Sequence, residues 1–85
     1  MDRDEAFLRH ILDEIRFLKE RYSPLELNEV VGDEVLKSAC IRSLEVIGEA
    51  VKKLSNDFKE MHGEVEWRKI AGLRDKLIHN YFGVD

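Results

Sequence analysis

Apolar residues recur along this chain at spacings of three and four, the period of amphipathic helices. From about Asp4 to Tyr22 the line Leu8, Ile11, Ile15, Leu18 and Tyr22, widened by Phe7 and Leu12, predicts a long helix with one core-facing stripe. Asp2, Asp4 and Glu5 suit its N-terminal dipole, and Lys19 and Arg21 its C-terminal end. Ser23-Pro24-Leu25-Glu26 reads as a capping box with proline at the first helical position, opening a short helix that Gly32 stops after about Val31. A second long helix is expected from near Asp33 to about Leu54, with Leu36, Cys40, Ile47, Ala50 and Leu54 as its main apolar line. Val35, Ala39, Ile41, Leu44, Val46 and Val51 widen that line until little of the helix is expected to face water. One narrow polar strip interrupts it: Ser38, Arg42, Glu45 and Glu49. Mid-helix Gly48 points to a tight crossing. Ser55-Asn56-Asp57 ends this helix and caps a short one closing at His62-Gly63.

The last periodic stretch is Trp67 to Tyr81. Its core stripe is Trp67, Ile70, Ala71, position 74, Leu77, Ile78 and Tyr81, and position 74 is an arginine where an apolar residue belongs. A guanidinium stays protonated, and burying it unpaired is costly. Arg74 therefore either has an acidic partner in the fold, with Glu45 and Glu49 as candidates, or lines a cleft. The strip Arg42, Glu45 and Glu49 is then a polar seam facing this helix; the alternative is a solvated edge with pairs at helical spacing. A five-residue step puts His79 about 140° round the helix from Arg74. Gly72 lies one heptad before His79, and a mid-helix glycine costs about 1 kcal/mol against alanine, so a close approach by another surface is expected there too.

These patterns describe one all-α domain over residues 1–85, an antiparallel helical bundle. A hydrophobic content of 44% supports a packed core. The single cysteine, Cys40, excludes an intrachain disulfide, favours a reducing compartment, and on its apolar line reads as an inert core thiol. The N-terminus lacks an apolar signal core, and no apolar run approaches the ~20 residues that span a bilayer, so a cytoplasmic chain without membrane contact is expected. The net charge of −4 argues against a broad nucleic-acid-coating surface. Residues 67–85, with Arg68, Lys69, Arg74 and Lys76 against Asp75 and Asp85, are nevertheless locally basic.

Little chemistry is available. His10, His62 and His79 fall on three segments without metal-ligand spacing, no metal or cofactor is implied, and His10 and His62 read as surface residues. There is no glycine-rich phosphate loop and no serine or cysteine nucleophile motif. What remains is Arg74, Asp75, His79, Asn80 and Tyr81. Arginine binds phosphate bidentately and histidine moves protons near neutral pH, a pair suited to metal-free phosphodiester cleavage in RNA. One arginine and one histidine make a thin site, which a two-fold dimer would double. Spacing alone leaves open the other reading, a salt-bridged Arg74 and a merely exposed His79.

The run R-D-K-L-I-H-N-Y, Arg74 to Tyr81, resembles the R-x4-H-x-Y motif of HepT-like toxins in the HEPN superfamily. R-S-L-E-V-I-G-E-A, from Arg42 to Ala50, resembles that family's second long helix, W-R-K-I-A-G-L-R-D-K-L-I-H its motif helix, and Y-F-G-V-D the tail that follows. The resemblance covers nearly the whole chain, in order. It implies a dimeric helical bundle acting as a ribonuclease toxin, with Arg74 and His79 catalytic and Asp75 and Asn80 in support. It also implies a nucleotidyltransferase antitoxin that silences the toxin by transferring AMP from ATP onto Tyr81. Family members generally continue with a further helix, whereas this chain stops at Asp85. The expectation is therefore a bundle without the usual final helix, with Phe82 and Val84 exposed. A homodimer through the second long helix and the Trp67 helix would close such a core. The alternative is a non-catalytic helical partner, or substrate-binding subunit, of a nucleotidyltransferase, with Arg74 structural.

Overall fold

The computed structural model describes residues 3–82. Within them six helices run in order: α1 (Arg3–Tyr22), α2 (Leu27–Val31), α3 (Glu34–Lys53), α4 (Asn56–Met61), α5 (Trp67–Ala71) and α6 (Leu73–Asn80), with no strand among the described residues. Expectations for Asp2, Gly83 and Val84 lie outside that range.

The boundaries follow local chemistry. Asp33 caps α3 by accepting from the Val35 and Leu36 N–H groups at 2.9 and 3.1 Å. Ser55 caps α4 through Phe58 N–H at 3.1 Å, and the N–H of Gly32 closes α2 on the carbonyls of Asn28 and Val30. The expected box at Ser23 does not form. Helix α2 starts three residues later, at Leu27, with the Glu26 N–H donating to the Glu29 side chain at 2.7 Å. Pro24 thus lies in the turn rather than at a helix start. The Trp67–Tyr81 helix is also broken: Gly72 terminates α5, its N–H shared between the Arg68 and Lys69 carbonyls, before α6 begins at Leu73.

Helix α3 is the hub. Its Leu44, Ile47, Ala50 and Val51, with Leu54 beyond its end, form the core with Ile11 of α1. Phe7, Leu8, Leu18, Phe58, Trp67, Ile70, Ala71 and Leu77 pack around them. Fully burying such side chains contributes about 1.5–3 kcal/mol each. Asp4, in the first turn of α1, meets Ser55 beyond the end of α3, and the Tyr22 hydroxyl donates to the Leu36 carbonyl near its start. The two helices are therefore antiparallel. On the other side of α3, Gly48 meets Ala71 and Glu45 meets Arg74, so the α5–α6 segment is antiparallel to α3 as well. Trp67 fixes the entry to α5 by donating from Nε1 to the carbonyls of His62 and Lys59, at 3.1 and 3.3 Å.

Some apolar positions escape the core. Leu12 is 57% exposed and Ile15 39%, because α1 is covered on its α3 side and turns this flank to solvent. Val35, at the open end of α3, is 78% exposed, against the expectation that this helix has little free surface. Conversely Phe82 is buried at 4%: beyond the end of α6 its N–H and that of Tyr81 both return to the Leu77 carbonyl, which turns the chain inward.

Candidate RNA-cleaving site

The polar strip of α3 and the odd arginine of α6 meet. Arg74 Nε donates to Glu45 Oε2 at 3.0 Å, and its Nη1 donates to Asp75 Oδ1 at 2.8 Å. Both members of the Arg74–Glu45 pair are half-buried, at 41% and 40% side-chain exposure, while Asp75 is exposed. The hydrogen bond to Asp75 first, and the charge of Glu45 after it, push the guanidinium's pKa up, so it carries its charge throughout the working pH range.

The crossing that allows this contact is set by Gly48. A β-carbon there would lie 3.1 Å from the Ala71 carbonyl oxygen, so glycine lets α3 and α5 approach one turn from the ion pair. Gly72, the other glycine singled out, plays no such part. A β-carbon on it would meet only carbonyls of its own turn, Arg68 and Lys69, at 3.6 and 3.9 Å, and its role is to end α5.

A cleft of about 590 Å³ opens beside the pair. Its floor is the outer face of α3, including Arg42, Glu45, Val46 and Glu49; one wall is Phe7 and His10 of α1, and the other is Ala71, Arg74 and Asp75. The strip is thus the floor of an open groove rather than a buried seam. Arg42 and Glu49 are exposed, and Glu49 faces Lys52 at 3.8 Å instead of Arg74. By sequence His10 is a plain surface residue, yet its position on the α1 wall makes it the imidazole that lines this cleft. Only the tertiary pairing of α1 with α3 brings it there, and no local signal marks it.

The remaining motif residues lie elsewhere on α6. His79 and Asn80 are exposed and do not line the cleft. Tyr81 caps the C-terminus of α6 and is 52% exposed, so it leaves the core stripe that helical spacing assigns it. Helix α6 stops at Asn80, and the inward turn after Tyr81 buries Phe82 in its place. Cys40 is partly buried, and burial pushes its thiol pKa up, which keeps it protonated and unreactive. Among the described residues no helix is long and apolar enough to cross a membrane.

The fold and this cleft define an α-helical bundle of HEPN type, with an Arg-x4-His segment laid antiparallel on a central helix. The profile of the family described as "Ribonuclease HepT-like" matches residues 11–85, and the chain belongs to that HepT-like family. A Caldanaerobacter subterraneus protein named "Putative RNase TTE0752" is 52% identical over 85 residues, covering 100% of this chain and 76% of its own length. A Thermococcus cleftensis protein named "Probable ribonuclease HepT" is 44% identical over 79 residues, covering 93% of this chain and 72% of its own. A Methanocaldococcus jannaschii protein named "Putative RNase MJ0125" is 46% identical over 85 residues, covering 95% and 70%. No solved structure matches the chain.

Proposed function

We propose that this protein is an RNA-cleaving enzyme whose site is completed across a two-fold dimer, with Arg74 and His79 as its catalytic pair. The observation that carries the reading is the Arg74 guanidinium, held beside an open cleft by Glu45 and Asp75 in a chain whose relatives are named as ribonucleases. The held guanidinium presents its remaining N–H groups to a phosphate without reorganising. An RNA 2′-hydroxyl gives its proton to one imidazole and attacks the adjacent phosphorus. The 5′-oxygen leaves as it takes a proton from a second imidazole, and a 2′,3′-cyclic phosphate remains. His79 of one copy stands off its own Arg74 cleft, and a two-fold dimer would bring a second His79 toward the scissile bond.

Regulation follows from Tyr81. Its exposure leaves the hydroxyl accessible to a second protein. A nucleotidyltransferase partner would direct that hydroxyl onto the α-phosphorus of ATP with loss of pyrophosphate. The attached AMP adds bulk and negative charge at the end of the helix that carries the guanidinium meant for the RNA phosphate. One observation favours a second reading: the two carboxylates on Arg74 also satisfy a purely structural arginine, as in a non-catalytic partner of a nucleotidyltransferase.

An RNA cleavage assay with wild type, Arg74→Ala and His79→Ala separates the two. Cleavage by wild type with at least ~100-fold loss in either variant, both still folded, supports the enzyme. Equal traces of cleavage in all three would leave the structural reading. Incubation with the nucleotidyltransferase and ATP, followed by peptide mass mapping, tests Tyr81; silencing of a Tyr81→Phe variant would sink the covalent mechanism.

A further inference from the structure

We infer that the cleft between α1 and α5–α6 is a track for a single-stranded RNA backbone, with Arg42 and Lys53 as phosphate ligands on either side of Arg74. The inference rests on the ribonuclease reading and specifies how the substrate lies. The chain as a whole carries a net charge of −4. Its cleft is lined by Arg42, Lys52, Lys53 and Arg74 against Glu45, Glu49 and Asp75, so the local balance is positive. The carboxylates are also spoken for: Glu45 and Asp75 hold Arg74, and Glu49 faces Lys52. Arg42 and Lys53 have no ion pair among the described residues, and their charges are left to the cleft.

Their placement is linear. Both lie on α3, and Glu45, the residue that anchors Arg74, falls between them. At 1.5 Å per residue Arg42 sits about 4.5 Å to one side of Glu45 along the axis and Lys53 about 12 Å to the other. Arg74 thus takes the middle position of three cations. Lys53 further has its ammonium 5.9 Å from the centre of the half-buried Phe7 ring on the α1 wall. A positively charged groove with an aromatic side chain at its edge is the combination with which single-stranded nucleic acid is bound irrespective of sequence. An acidic peptide would use the two charges but has no need of the ring, which favours RNA as the occupant.

Binding of a fully 2′-O-methylated single-stranded RNA, which cannot be cut through its 2′-oxygen, is measured by fluorescence anisotropy across a salt series. Each phosphate contact contributes about 0.7 to the slope of log K against log salt. Arg42→Gln and Lys53→Gln are each expected to lower that slope by about 0.7 and weaken binding ~5-fold at about 0.1 M salt, with ~25-fold for the pair. Arg42→Lys and Lys53→Arg, which keep the charge, should keep the slope and so separate lost contacts from a damaged fold. Lys19→Gln, outside the cleft, should bind as wild type does. A wild type that cleaves RNA while the Gln pair binds with unchanged affinity and slope overturns the track and leaves the ribonuclease reading intact. A wild type that neither binds nor cleaves RNA overturns both. Displacement of the RNA by polyglutamate at comparable concentration overturns the assignment to RNA.

Discussion

The two flanks of α3 are built on different principles. Toward α1 the contact is apolar and long, with Ile11, Leu8, Leu18 and Phe7 set against Leu44, Ile47 and Val51, and it is tied at its ends by Asp4–Ser55 and Tyr22–Leu36. Toward α5–α6 the contact is close and partly polar: a glycine against a backbone carbonyl and an arginine against a glutamate. Non-directional burial holds α1 in place, whereas the second flank depends on distances. The flank that fixes a guanidinium is the one that fixes geometry, while both flanks bury apolar side chains against α3.

Ile11→Ala strikes the apolar flank and is expected to have the largest effect, a loss of about 2–4 kcal/mol in urea unfolding with no change in the Arg74 contact if the fold survives. Gly48→Ala strikes the other. The added methyl meets the Ala71 carbonyl, and both partners are helical backbone with little room to yield. A helix-propensity gain of about 1 kcal/mol offsets part of an overpacking cost of about 1–3 kcal/mol, for a net loss near 1 kcal/mol. The sharper sign is functional: a structure of the variant should show the Arg74–Glu45 contact lengthened.

Asp4→Asn probes the end tie on the α1 flank through pH. The Ser55 hydroxyl and N–H, at 2.7 and 2.8 Å, hold the Asp4 carboxyl pKa below its ordinary value of 3.8. A depressed folded-state pKa contributes stability that is whole above the unfolded value and lost as pH falls through the lower folded one. Wild type should therefore exceed the variant in urea midpoint at about pH 7, and the difference should shrink toward about pH 2. A difference that stays constant with pH would show that the carboxylate charge is irrelevant to the tie. The smallest effect is expected from Leu12→Lys on the open side of α1, within about 0.5 kcal/mol. A larger loss, together with a change in sedimentation, would mark that side as a contact with another copy.

What the amino-acid pattern revealed was mostly local. The helix start near Asp33, the cap at Ser55, the stop at Gly32 and the misplaced arginine are each written within a few residues. The Arg74–Glu45 pairing was within reach because an unpaired half-buried guanidinium demands a partner and the facing helix offered two carboxylates; choosing Glu45 over Glu49 needed the helix crossing itself. Other features depend on residues far apart. Asp4 reads as an ordinary dipole-compensating carboxylate until Ser55 arrives from 51 positions away. His10 enters the cleft only through the packing of α1 on α3. Helical spacing placed Tyr81 in the core and missed the fray at Asn80, where a single residue's change of direction exchanges Tyr81 for Phe82.

The joint between α4 and α5 also provides an optical reporter. Trp67 is the sole tryptophan, its indole N–H is shared between two carbonyls, and its ring centre lies 6.0 Å from that of Phe58. Selective excitation of that indole reads out one place in the molecule, the hinge that delivers the chain into the arginine-bearing segment. A red shift of its emission that precedes the loss of helical circular dichroism would reveal this joint opening before the long helices part.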